Sequence, residues 1–131
     1  MTDGSAEQMW RAWIEAQGGD ADESALERAP VVREVTASRA GVVERLGAIR
    51  VGNAALHLGA GRRTKDDSID HAVGVVCLRK RGDTVAAGDV LAEIHARDDA
   101  SAAEAAGEVT AAYELGDNAP PARSVLLEVI D

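Results

Sequence analysis

Hydrophobic side chains recur along this chain with two different periods, and the places where the period changes mark its elements. In GSAEQMWRAWIEAQGGD, Ala6, Met9, Trp10, Trp13 and Ile14 stand at helical spacing, which predicts an amphipathic helix with one wide apolar stripe. Ser5 is placed to cap it, and Gln8 stands three residues on, where a capping box wants Glu or Gln. Glu7 suits the positive end of the helix dipole, and Gly18-Gly19 ends the run. An ordinary core face is the simplest reading of the stripe. The acidic, small-residue connector DADESALERAP follows, and Pro30 closes it.

Beyond Pro30 the period shortens. VVREVTASRAGVVERL alternates and is rich in valine, predicting two short strands broken near Ser38 to Gly41. AIRVGNAALHLGAG returns to helical spacing, with Ile49, Ala54, Ala55 and Leu58 expected to face inward and Gly59 or Gly61 as terminator. HAVGVVCLRKRGDTVAAGDVLAEIHA predicts two strands around a turn, punctuated by Gly82-Asp83 and Gly88-Asp89. DDASAAEAAGEVTAAYEL predicts a further helix that opens on Asp98, Asp99 and Ser101; GDNAPPA breaks it, and RSVLLEVI reads as a last strand. Mixed helices and strands without a fixed repeat give an α+β class.

Composition narrows the picture. A chain of 131 residues has room for one modest core and an appendage. Phe is absent, and Trp10, Trp13 and Tyr113 are the only aromatics, so the core is built from Val, Leu, Ile and Ala and stability is unexceptional. The formal net charge of -9 argues against nucleic acid, where Lys and Arg must face the phosphates, and against an anionic membrane surface. The single cysteine, Cys77, leaves no internal disulfide and fits a reducing compartment; inside AVGVVCL it reads as a buried, inert thiol. That run is too short to span a bilayer and no basic-then-apolar leader opens the chain, so a cytoplasmic protein is expected.

The stretch LHLGAGRRTKDDSID, residues 56 to 70, concentrates the candidate chemistry. A phosphate cradle needs backbone N–H groups at a helix N-terminus, but here the glycines follow their helix, at the end where carbonyls point outward. The spacing is not that of GxxxxGK[ST] either, which leaves Arg62, Arg63 and Lys65 as the only phosphate donors. Asp66, Asp67, Asp70 and His71 offer oxygen and nitrogen ligands, yet the calcium loop's central Gly and distal Glu are missing. A solvated acidic loop neutralised by its own cations is the simpler reading, and no metal site is expected. His57 and His95 read as structural histidines. No Ser-His-Asp elbow, CxxC motif or paired carboxylate stands at a recognisable catalytic position.

Four stretches, taken in order, resemble the C-terminal region of pyrimidine nucleoside phosphorylases, thymidine phosphorylase included. They are AQGGD (Ala16 to Asp20), AGVV (Ala40 to Val43), LGAGRRTKDDSIDHAVGV (Leu58 to Val75) and KRGDTVAAGDVLAEIHA (Lys80 to Ala96). The resemblance implies that residues 1–29 are the terminal helix and connector of a catalytic region. It implies that residues 30–131 are the family's C-terminal domain, an α/β-hammerhead with barrel-sandwich-like strands. Enzymes of the family are homodimers that split thymidine or uridine with phosphate into base and pentose 1-phosphate, without a cofactor. Their phosphate loop and base-binding Arg, Ser and Lys belong to the catalytic region, and none of those motifs occurs in this chain. The nucleoside and phosphate are thus expected to bind outside it, the chain to carry no catalytic residue, and the isolated chain, a piece of a larger enzyme, to be inactive. What carries over is the glycine loop, with Gly59, Gly61, Arg62, Arg63, Asp67 and Asp70 as interdomain docking residues. The expected partner is the catalytic region of the same enzyme. A helix bearing Trp10 and Trp13 would then either self-associate or lie uncovered, because the small downstream domain does not suffice to cover it.

Two other readings stay in view. KRGDTVAAGDVLAEI is similar to half of a biotinyl or lipoyl carrier domain, but Lys65 and Lys80, the only lysines, do not sit in a carrier's modified-lysine setting. The chain also fits a stand-alone acidic protein-binding module of the same shape.

Overall fold

The computed structural model describes residues 3–22, 24 and 26–121. Its elements are α1 (Ser5–Ala16), β1 (Val31–Thr36), β2 (Gly41–Leu46), α2 (Ala48–Leu58), β3 (Gly74–Cys77), β4 (Thr84–Val85), β5 (Val90–Ala96), α3 (Asp99–Thr110) and β6 (Tyr113–Gly116). The strands form two three-stranded antiparallel sheets, ordered β1-β5-β3 and β4-β2-β6. Among the described residues the sheets do not close into a barrel, and the class is mixed α and β. The expected last strand, RSVLLEVI, lies outside the described residues.

Alternation along β1 and β5 decides how the first sheet faces. Val35 stands opposite Ala92, and Arg33 opposite Ile94. Val35, Ala92, Ile94 and Ala96 are buried, while Val32, Glu34, Glu93 and His95 belong to the other face. Helix α3 packs on β1 and β5 and against α2, which reaches on to β3. Asp98 starts α3 in the expected way: its carboxylate accepts from the Ser101 backbone N–H at 2.8 Å, which holds the carboxyl below its ordinary range.

The two Gly-Asp pairs join the sheets. Asp83 accepts from the Lys80 backbone N–H and Asp89 from that of Ala86, at 2.7 and 3.0 Å, closing two similar turns. Gly82 N–H then donates to the Val43 carbonyl, and Gly88 N–H to that of Ala37. Tyr113, the one buried aromatic, directs its hydroxyl at the Arg79 and Leu91 carbonyls, 2.9 Å from each. Burial, followed by the neighbouring Cys77, pushes its phenol upward.

Several expectations need correction. YEL does not continue α3: the helix stops at Thr110 and Tyr113–Gly116 forms β6 on β2. The stretch 71–96 contains three strands, because the short β4 leaves the hairpin to pair with β2. Ile49 does not face inward: it is 81% exposed on the first turn of α2, although Ala54 is buried and Leu58 packs on the core. Gly4, not Ser5, occupies the cap of α1, and the Asp3 carboxylate receives both the Ser5 N–H and hydroxyl.

The helix α1 is not a core face. None of its residues is buried, Trp10 is 39% and Trp13 62% exposed, and Met9 lies beside them. Its local contacts are the Glu7–Arg11 pair one turn apart, with the Arg11 guanidinium 5.8 Å from the Trp10 ring centre. A helix that contributes nothing to the core contributes nothing to its stability. Removing residues 1–20 is expected to leave the thermal midpoint of the rest within about 2 °C, as scanning calorimetry would show. A large drop would mean that α1 packs on the domain.

Candidate functional site

The glycine loop begins where α2 ends. Gly59 takes the left-handed conformation, φ 102°, that a helix C-cap commonly uses, and the Gly59 and Ala60 N–H groups close back on Leu56 and Ala55. At Gly61 a side chain would come within 3.0 Å of the Leu56 side chain, so the turn is packed as well as bent. The loop therefore presents the helix's carbonyl end, which repels anions rather than cradling them.

Asp67 organises the next stretch. One of its oxygens accepts the Arg63 and Thr64 backbone N–H groups at 3.0 Å, and the other accepts the Thr64 hydroxyl at 2.8 Å. The Thr64 hydrogen bonds, then that of Arg63, hold this carboxyl below its ordinary range. Gly59, Gly61, Arg63, Asp66 and Asp67, with His57 and Ser68, line a shallow cavity of about 430 Å³. Arg62, Arg63 and Lys65 are solvent-exposed. His57 belongs to the scaffold, its Nδ1 standing 2.8 Å from Glu108 and so linking α2 to α3. Among the described residues, no three His, Cys, Asp or Glu side chains gather as metal ligands would.

Asp70 turns away from that cavity. Its backbone N–H donates to the Gly59 carbonyl at 3.0 Å, tying the end of the loop to its start. Its carboxylate receives Arg97 through two hydrogen bonds, Nε to Oδ2 at 2.6 Å and Nη2 to Oδ1 at 2.8 Å, and Oδ1 also accepts the Ala72 N–H. The third Arg97 nitrogen donates to Glu27 at 2.7 Å. The sequence-predicted residues thus divide: Gly59, Gly61, Arg63 and Asp67 share the cavity, Asp70 joins a separate ion cluster, and Arg62 is exposed and belongs to neither. Arg97 and Glu27 were missed. A lone arginine in HARDD reads as a solvated charge, and its partners stand 27 and 70 residues away.

Arg97, followed by the Ala72 N–H, holds the Asp70 carboxyl below the ordinary aspartate value of 3.8. The fold favours the charged form, so the pair stabilises above that value and its contribution is lost as pH falls through the lower, folded-state value. The stability gap between this chain and Asp70→Asn, followed by denaturant titration, should be open at pH 7 and should close as pH falls below 3.8. A gap that ignores pH would contradict the pairing.

The larger cleft, about 520 Å³, lies at the start of α2 between Arg45, Arg50 and Arg81. Glu114 pairs with Arg45 there at 3.1 Å, and the lining holds no Ser, Thr, Cys or His. In the glycine-loop cavity Ser68 and His57 share no hydrogen bond, and Glu108 holds the His57 Nδ1. What the glycine loop offers is a rigid turn that displays charge.

The pyrimidine nucleoside phosphorylase C-terminal domain family matches residues 42–116, from β2 through β6. A pyrimidine-nucleoside phosphorylase of Geobacillus stearothermophilus is 46% identical over 99 residues, 72% of this chain and 23% of that protein. A thymidine phosphorylase of Burkholderia cenocepacia is 40% identical over 125 residues, 90% of this chain and 28% of that protein. A pyrimidine-nucleoside phosphorylase of Bacillus subtilis is 41% identical over 100 residues, 73% of this chain and 23% of that protein. The chain spans about a quarter of the length of these relatives.

Proposed function

The chain belongs to the pyrimidine nucleoside phosphorylase family, whose C-terminal domain it carries, and from that premise we propose that it works as a docking domain. In this reading the reaction is phosphorolysis of a pyrimidine nucleoside, thymidine or uridine, into base and pentose 1-phosphate. Nucleoside and phosphate bind in a catalytic region outside this chain, within a homodimeric enzyme. Residues 1–29 are the terminal helix and connector of that region. Residues 30–131 form the C-terminal domain, with the hammerhead arrangement as the reading of its two sheets.

The observation that carries the proposal is the exposed stripe of α1. A helix with two tryptophans and no buried residue needs a covering surface, and the described domain supplies none. The loop supports the same reading: Gly59 and Gly61 fix its course, Asp67 holds its shape, and Arg62 and Arg63 project charge toward the catalytic region. Closure then depends on screened pairings worth little each, which suits an interface that opens on every turnover.

One experiment tests the loop's part. In a chimera, this chain replaces the matched portion of the Burkholderia cenocepacia thymidine phosphorylase, and Arg62→Ala with Arg63→Ala is introduced. The variant should lower kcat for thymidine phosphorolysis about tenfold with an unchanged thermal midpoint. An unchanged kcat would remove the loop from closure.

A further inference from the structure

The Arg97 cluster joins three places that the chain keeps far apart. Arg97 directly follows β5 and directly precedes the Asp98 cap of α3, so its backbone is fixed from both sides. Its guanidinium faces the loop through Asp70 and the connector through Glu27. Beside it, Ala96 pairs with Val31 at the start of β1, and Ala29, near the end of the connector, is the first buried residue among those described.

We infer that Arg97 is a positioning residue that ties the connector entering the domain to the glycine loop, so that a displacement of one is transmitted to the other. The path is short and continuous: Glu27 to Arg97, Arg97 to Asp70, and the Asp70 N–H to the carbonyl of Gly59, the residue that caps α2. The two arms differ in character. The Asp70 arm is bidentate and partly shielded, whereas Glu27 is 71% exposed and holds by one hydrogen bond. The Asp70 arm keeps the loop seated, and the Glu27 arm yields when the connector moves. Only a planar fork serves both carboxylates at once; a lysine ammonium is a point charge on a flexible stem. The inference rests on the docking reading for its purpose, which is to let the catalytic region's position reach the loop, but not for its geometry.

Hydrogen exchange on the full chain tests it, residue by residue, with the amides of β5 as an internal control for global stability. Arg97→Ala and Arg97→Lys should each speed exchange at the Asp70 and Ala72 amides about threefold to tenfold. Glu27→Gln leaves the Asp70 pair in place, yet it should still speed those two amides by about twofold, and should add nothing in an Arg97→Ala background. If Arg97→Ala weakens β5 as well, the Lys and Gln variants decide. Loop exchange untouched by Glu27→Gln, an equal increment without Arg97, or a lysine variant that behaves as the parent would each overturn the inference. Because this readout needs no catalytic region, its failure leaves the docking reading standing, and failure of the chimera leaves this one standing.

Discussion

Ile94→Ala is expected to lower the unfolding free energy by about 3 to 4 kcal/mol, enough to leave the domain near its unfolding threshold at ambient temperature. Ile94 lies at the middle of β5, the central strand of its sheet, between Arg33 on β1 and Val75 on β3. It is 0% exposed, and with Val43 and Val109 it is one of the largest side chains to be fully enclosed. Ala37, Ala54, Ala92 and Ala105 are buried in the same core, and an alanine has no rotamer with which to fill a void. The cavity should therefore persist, and the cost should lie well above that of Ile49→Ala. The 81% exposure of Ile49 puts that change within about 0.5 kcal/mol. Chemical denaturation of both variants reads the contrast. A loss below about 1 kcal/mol for Ile94 would show a core that collapses around the gap, unlike the one described.

Much of this architecture could be read from residue pattern, and the parts that could not share a cause. The turn residues spoke plainly: Gly59 after Leu58, Gly82-Asp83, Gly88-Asp89 and the Asp98 cap are local chemistry, decided within four residues. Strand β6 was hidden because AAYEL continues an alanine-rich helical run. It becomes a strand through pairing with β2, Tyr113 opposite Leu46 and Gly116 opposite Val42, which is tertiary context overriding local propensity. Ile49 misled for a different reason: at about 100° per residue it stands on the side of α2 opposite Leu58 and far from Ala54, and the first turn lies at a cleft lined by Ala111 and Ala112, beyond the last turn of α3. In the candidate site, the glycine turn was legible because its partners are neighbours in sequence, whereas the hold of Asp67 on Arg63 and Thr64, though equally local, hides in a stretch that reads as a solvated acidic loop. The Asp70–Arg97–Glu27 cluster was not legible, because nothing local distinguishes one surface arginine from another.

The second large effect concerns activity. A catalytic region of the Burkholderia cenocepacia thymidine phosphorylase that lacks the portion matching this chain should regain thymidine phosphorolysis when the chain is added, by at least about a hundredfold over either part alone. On the docking reading, phosphate and nucleoside are held together with water excluded only when the domain seats, and a cleft left open holds neither in place. Recovery should depend on α1, because its stripe leaves Met9, Trp10 and Trp13 exposed together on one helix. Trp10→Glu with Trp13→Glu would bury two charges in the covered interface and should abolish recovery while leaving the isolated domain folded, since neither tryptophan lies in its core. If the same variant also unfolds the isolated chain, the helix serves the domain rather than a partner.

The most direct measurement is the phosphate-dependent release of thymine from thymidine by this chain alone, by the truncated catalytic region alone, and by the two together. Background rates are expected for each part, and turnover only in the mixture. Release by the chain on its own would contradict the docking reading, as would a truncated region whose full rate the chain does not change.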